Sequence, residues 1–149
     1  HGRGILKQVL LIVLGVVLTL ASACRNDVEM VLQAEDCVPG CDFAGADLAG
    51  ADLSTANLLW ANLTEANLTA ANLTEANLSG AQLVGTDLTD AELGWSDLTR
   101  ANLLWANLTG ANLTGANLTK VDLHEAVLDG VIGADFTGAL NVNSKYLKD

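Results

Sequence analysis

Three thiols, two imidazoles and a spread of carboxylates are the side chains here with covalent or acid–base chemistry, so their spacing comes first. The cysteines are Cys24, Cys37 and Cys41, and the histidines are His1 and His124. A nucleophile needs a base within hydrogen-bond reach, and no such pairing is suggested by this pattern. A closed zinc site needs four ligands; Cys37 and Cys41 enclose only Val-Pro-Gly and have no histidine near them. No phosphate-cradling glycine motif is present. Seven Asn-x-Ser/Thr triplets begin at Asn62, Asn67, Asn72, Asn77, Asn107, Asn112 and Asn117. Singly they would read as glycan acceptors, but the repeat described below generates all of them. His124 falls in an outward slot and reads as a solvated surface residue. The residues therefore predict no catalytic, cofactor-binding or metal site, and no enzyme.

Cys24 has a context of its own. Arg3 and Lys7 precede the apolar run Val9–Leu20, and Ala21, Ser22 and Ala23 follow it. These are the positive, apolar and small-residue zones of an export signal. As a helix the run would reach about 18 Å at ~1.5 Å per residue, short of the ~30 Å hydrocarbon core of a bilayer. Residues 1–23 are accordingly read as a signal peptide. The segment Ala21–Cys24 resembles the bacterial lipobox, with Ala21 in the place that usually holds leucine and Leu20 one position further out. The resemblance implies a lipid on Cys24; the other reading is a plain signal-cleavage site with Cys24 a bystander. One acyl chain binds a membrane only marginally, so stable anchoring implies the several chains of a mature bacterial lipoprotein. Cys37 and Cys41 would then remain in an oxidising compartment, where one disulfide could lock the start of the fold. Alternatively Cys41 packs as a small buried hydrophobe.

Charge narrows the partners. The chain carries a formal −11, and residues 24–149 hold five basic against eighteen acidic side chains, a net −13. Such a surface repels nucleic acid and anionic lipid. It suits solubility, or imitation of a polyanion. Aromatic residues are 4% of the chain, so any core must be aliphatic and thin.

What must position these residues is a repeat. From Cys41 to Gly130 the chain divides into eighteen consecutive pentapeptides. The central residues are Phe43, Leu48, Leu53, Leu58, Leu63, Leu68, Leu73, Leu78, Leu83, Leu88, Leu93, Leu98, Leu103, Leu108, Leu113, Leu118, Leu123 and Leu128. Two residues before each stands a small residue, usually alanine, with Cys41, Thr86, Ser96 and Val121 as exceptions. Between them sits Asp or Asn, with Gln82, Glu92 and Val127 as variants. A period of five fits neither one face of an α-helix nor the alternation of a flat strand. It fits a backbone that turns a quarter circle per unit, with leucine and the small residue inward and the other three residues outward. Four units then close a coil, and coils stack at about 4.8 Å. The leucine column alone cannot offset the backbone entropy of ninety ordered residues, so bonds between coils must contribute.

The units Ala111–Gly115 and Ala61–Glu65, of the form A(D/N)LxG and A(D/N)LxE, resemble the pentapeptide-repeat family. The resemblance implies an all-β fold, a right-handed quadrilateral β-helix, over residues 41–140. Ends of solenoids need caps. Asn26 or Asp27 is expected to start a short N-terminal capping helix carrying Val28, Val31 and Leu32 on one face, within a linker and cap over 24–40. Phe136 follows Leu128 by eight residues, so three residues are expected to be inserted around Val131–Gly133. Residues 141–149 would form a C-terminal cap or tail, with Leu140, Val142, Tyr146 and Leu147 as apolar contacts.

With a period of twenty residues per coil, the outward residues sort onto four faces. Asp42, Glu65, Asp122 and Glu125 share one, and Asp52, Glu75 and Glu92 the opposite one. Asp47, Asp87, Asp90 and Asp129 mark a third. The fourth sets Arg100 under Lys120, with Leu59 and Trp60 two coils earlier; Trp95 and Trp105 fall on two other faces. Exposed tryptophan is enriched at contact sites, so Trp60, Trp95, Trp105, Arg100 and Lys120 are the candidate contacts. Two functions are expected from this set. One is a lipid-tethered scaffold or protein-interaction module in the periplasm or a thylakoid lumen, binding a protein partner and no nucleic acid. The other is inhibition of a type II topoisomerase by imitation of duplex DNA, as some members of the family perform in the cytosol.

Overall fold

The computed structural model describes residues 40–147 and, ahead of them, strands β1 (Ile12–Val13) and β2 (Val16–Val17). Cys24, Cys37 and the capping helix expected after Asn26 or Asp27 lie outside the described residues. β1 and β2 pair antiparallel, Ile12 with Val17 and Val13 with Val16. The apolar run, reckoned above as a helix, is thus paired strand where it is described, as β-branched doublets favour. Among the described residues no helix is long and apolar enough to cross a membrane.

From Gly40 onward the chain winds into a four-sided coil. Each side is the three-residue segment small–Asx–Leu, and each corner is the two residues that follow. Parallel bridges join residues twenty apart, Asp42 to Asn62, Asp47 to Asn67, Asp52 to Asn72 and Asn57 to Asn77, and so on up the coil. Four pentapeptides therefore make one turn. The central residues from Phe43 to Leu128 are all buried, and most of the small residues beside them are buried too.

The five amides of a unit show why the repeat has this form. In the unit Ala66–Ala70, the Ala66 N–H donates to the Leu63 carbonyl (3.0 Å) and closes the corner. Asn67 N–H donates down to Ala46 O, while Leu68 and Ala70 N–H donate up to Asp87 O and Thr89 O. That leaves Thr69 N–H, which donates to the side-chain Oδ1 of Asn67 at 3.1 Å. Every donor in the unit is satisfied, as folded backbone requires. The Asp or Asn of the second slot is thus a backbone acceptor, an Asx turn at the corner. Gln82, Glu92 and Val127, too long or apolar, have no equivalent bond.

The corners impose a second demand. A leucine carbonyl accepts from the residue three on, and φ is positive only at the second corner residue, which is the type II turn. Glycine meets that demand at Gly45, Gly50, Gly80 and Gly110, but Thr55, Trp60, Glu65, Ala70, Trp95, Arg100 and Lys120 also hold φ between 53° and 61°. The polar exceptions to the inward alanine are satisfied as well. Buried Thr86 donates from Oγ1 to Leu63 O at 2.7 Å, and Ser96 from Oγ to Leu93 O at 2.8 Å. No buried side-chain polar atom lacks a partner among the described residues.

At the C-terminal end the expected insertion proves to be a deletion. Ile132 bridges Asn112, in register. Gly133 then stands where leucine would and turns with φ +67°, so this unit is cut from five residues to three. The next unit, Ala134–Gly138, lies over the fourth side, with Lys120 N–H donating to Gly138 O (2.8 Å), and Leu140 then bridges Asp122 at an offset of eighteen rather than twenty. Val131, Phe136, Val142 and Tyr146 pack half-buried against the last leucines, and a 3₁₀ turn over Ser144–Tyr146 ends the described chain. Lys145 joins that turn to the coil through Asp129 at 3.3 Å. Leu140 and Leu147 remain about half exposed, so they are weaker contacts than the sequence suggests.

Candidate functional site

Sides and corners together fix the outward chemistry. The second-slot residues stack in four columns, and along these columns no two carboxylates sit on adjacent coils. Asn67 alternates with Asp47 and Asp87, and Asn112 follows Glu92. Asparagine amides bridge the steps: Asn62 donates to Asp42 at 2.9 Å, Asn67 to Asp47 at 3.1 Å and Asn112 to Glu92 at 2.7 Å. A carboxylate can only accept, so asparagine between carboxylates replaces repulsion with a hydrogen bond. The same bonds occupy the amide nitrogens of six of the seven triplets, Asn62, Asn67, Asn72, Asn77, Asn107 and Asn112. The glycan reading of those six is thereby opposed. Hydrogen bonds hold Asp52 below its ordinary carboxylate range, the Ser54 hydroxyl most and the Ser54 amide next. Thr137 does the same for exposed Asp135.

Cys41 is disulfide-bonded. His124 is exposed and its backbone N–H donates to Asp122. Among the described residues no group of His, Cys, Asp or Glu is arranged to hold a metal. Lys145, which the sequence reading passed over, packs over the Tyr146 ring at 4.3 Å. Tyr146 first and Asp129 second raise its ammonium above the usual range.

The five candidate contacts all occupy the second corner position. This modifies the assignment to faces, since a corner residue borders two sides. Trp95 stands between the third and fourth sides, Trp60, Arg100 and Lys120 in one column between the fourth and first, and Trp105 between the first and second. Trp95 and Arg100 therefore flank the single fourth-side segment Ser96–Leu98. The corner that carries Trp60, Arg100 and Lys120 includes no acidic residue among the described residues: its other members are Gly40, Leu59, Ser79, Gly80, Thr99, Thr119, Thr137 and Gly138. The fourth side itself contributes only Asp97 and Asp135. The acidic residues crowd onto the other three sides and corners.

The tryptophans are 50% (Trp60), 68% (Trp95) and 62% (Trp105) exposed. All three hold φ of +59°, a conformation that is an outlier for a bulky residue. Two have seats prepared for them. The six-membered ring of Trp60 fills the space where a Cβ on Gly80 would stand, and the Trp95 ring does so over Gly115. Sequence reasoning missed Gly80 and Gly115, although a tryptophan followed by glycine twenty residues on was there to be read. Trp105 is followed by Glu125 and has no such seat.

A model of pentapeptide repeats matches in eight copies within residues 41–80, 66–103, 96–132 and 105–140. No curated protein matches. Among solved structures, a pentapeptide-repeat protein of the Arabidopsis thaliana thylakoid lumen is 35% identical, at TM-score 0.50, over 58% of this chain and 63% of its own. Rfr23 of the cyanobacterium Cyanothece 51142 is 27% identical over 74% of this chain and 97% of its own, TM-score 0.35. HetL of the cyanobacterium Nostoc, described as involved in heterocyst differentiation regulation, is 33% identical over 66% of this chain and 61% of its own, TM-score 0.36. This chain thus spans less than two thirds of the lumenal protein and of HetL.

Proposed function

This chain belongs to the pentapeptide-repeat family, whose members fold as right-handed quadrilateral β-helices, and on that premise we propose that it is a non-enzymatic, exported interaction module tethered to a membrane by lipid on Cys24. The observation that carries the interaction role is the exposure of three tryptophans at corners whose left-handed backbone favours glycine. A left-handed residue other than glycine costs roughly 1–2 kcal/mol, and strained residues persist where surroundings hold them for a purpose. Here three large aromatic rings are kept in that conformation while half or more of their surface faces water. Folding alone would favour glycine at each.

Export rests on the three zones ahead of Cys24 and is consistent with the lumenal location of a protein 35% identical to this one. Lipidation has a consequence for the other thiols. The bonded Cys41 has two possible partners within the chain, Cys24 and Cys37. An acylated Cys24 leaves Cys37, and the loop closed around Val38, Pro39 and Gly40 would then brace the first coil.

Growth of expressing cells with radiolabelled palmitate tests the anchor. Label is expected in the full chain and in membranes, and is expected to vanish in Cys24→Ala. Equal labelling of that variant would end the proposal.

A further inference from the structure

The coil is charged oppositely on opposite edges. Diagonally across from the corner of Trp60, Arg100 and Lys120 lies the corner between the second and third sides. Its second-position column reads Gly50, Ala70, Asp90, Gly110 and Gly130, and the sides that meet there carry Asp47, Asp87, Asp52 and Glu92. We infer that this acidic edge receives the cationic, aromatic edge of a second copy of the same chain, the two coils lying side by side and parallel. This deepens the proposed function by naming the partner, and it rests on that reading of the coil as an anchored interaction module.

Levels along the axis decide the pairing. Diagonally opposite corners differ by ten residues, half a coil. Side chains at these corners lean towards the next coil: the Asp90 carboxylate lies over Gly110 and the Trp60 ring over Gly80. Position 100 lies half a coil above position 90, between the Asp90 backbone and the Gly110 position that its carboxylate leans towards. Two parallel copies with no axial shift therefore set Asp90 of one against Arg100 of the other. They also set the Trp60 ring against Ala70, whose small side chain leaves room for it. Anchors on Cys24 would give all copies one polarity, which this arrangement needs. A contact between two different edges does not close on itself, so it extends into a row.

An exposed ion pair contributes at most about 1 kcal/mol. Association is therefore weak in dilute solution, and confinement to a surface raises the effective concentration. Neither edge is complementary to itself, which excludes a two-fold pairing of either.

Carbodiimide cross-linking tests this. Full chain carrying Arg100→Lys, which places an amine at the contact, is prepared in light and heavy nitrogen, mixed and incorporated in vesicles of zwitterionic lipid. The expected product is a heavy–light peptide joining position 100 to Asp90. Its yield should fall about fivefold at high salt, as loss of a pair of at most about 1 kcal/mol requires; Asp90→Asn, which has no carboxylate to activate, should lose it wholly with thermal unfolding unchanged. Links only within one copy, or links from position 100 made equally to Asp42 and Asp122, would overturn the proposal. Vesicle incorporation and acylation of Cys24, scored in the same samples, report on the anchor separately.

Discussion

Ala70 isolates the demand that each corner places on its second residue. It holds φ of +53° at an exposed corner, while its neighbour Ala71 points inward and is fully buried. Glycine at 70 removes the left-handed penalty of roughly 1–2 kcal/mol and adds back part of it as unfolded-chain entropy, ~0.4–1 kcal/mol. Ala70→Gly is therefore expected to stabilise the protein by about 0.5–1 kcal/mol. Ala71→Gly, which loses a packed methyl and gains no relief, should destabilise by about 1 kcal/mol. Urea unfolding of the two variants checks both signs. Stabilisation by both would mean that the conformational argument is wrong. The same reasoning predicts that the tryptophan corners are the places where stability and contact oppose each other.

At the scale of the element, the pentapeptide is a closed accounting of five amides, and the second slot is its least forgiving member. Gln82 lies in that slot with a side chain one methylene too long to accept from Val84 N–H. Gln82→Asn is expected to form that bond and raise stability by about 0.5–1.5 kcal/mol. Hydrogen exchange at the Val84 amide should slow, and unchanged exchange there would refute the role assigned to the slot. This is also where the sequence was most and least legible. The leucine register and the inward alanines could be read from spacing alone, because a buried column tolerates almost no variation in size. The preference for Asp or Asn could be seen but not explained, because its cause is a bond to the backbone two residues on. The corner conformation was hidden for a related reason. Glycine marks it in some units, but Trp60, Glu65, Arg100 and Lys120 adopt it because bonds to the neighbouring coils hold them there. The two-residue deletion at Gly133 looked like an insertion, since counting from Leu128 to Phe136 does not reveal which side has been shortened.

At the scale of the whole molecule, charge is a matter of arrangement rather than of sum. A net −13 over residues 24–149 would suit imitation of duplex DNA only if the carboxylates formed uninterrupted rows, since the duplex carries one negative charge per ~1.7 Å of axis. The second-slot columns instead separate every pair of carboxylates with asparagine or glutamine, and one corner is free of acid and carries Arg100 and Lys120. Such a rod presents a field that changes sign around its axis. A DNA-binding groove, which is uniformly positive, would be attracted by three edges and repelled by the fourth. The mature protein is therefore expected to leave gyrase supercoiling unaffected at concentrations well above that of the enzyme. Arg100→Glu with Lys120→Glu removes the cationic corner without touching the core, so it asks whether that corner is what prevents mimicry. Potent inhibition by the unmodified chain would show that a broken pattern of charge suffices, and would overturn the proposed role as an anchored interaction module.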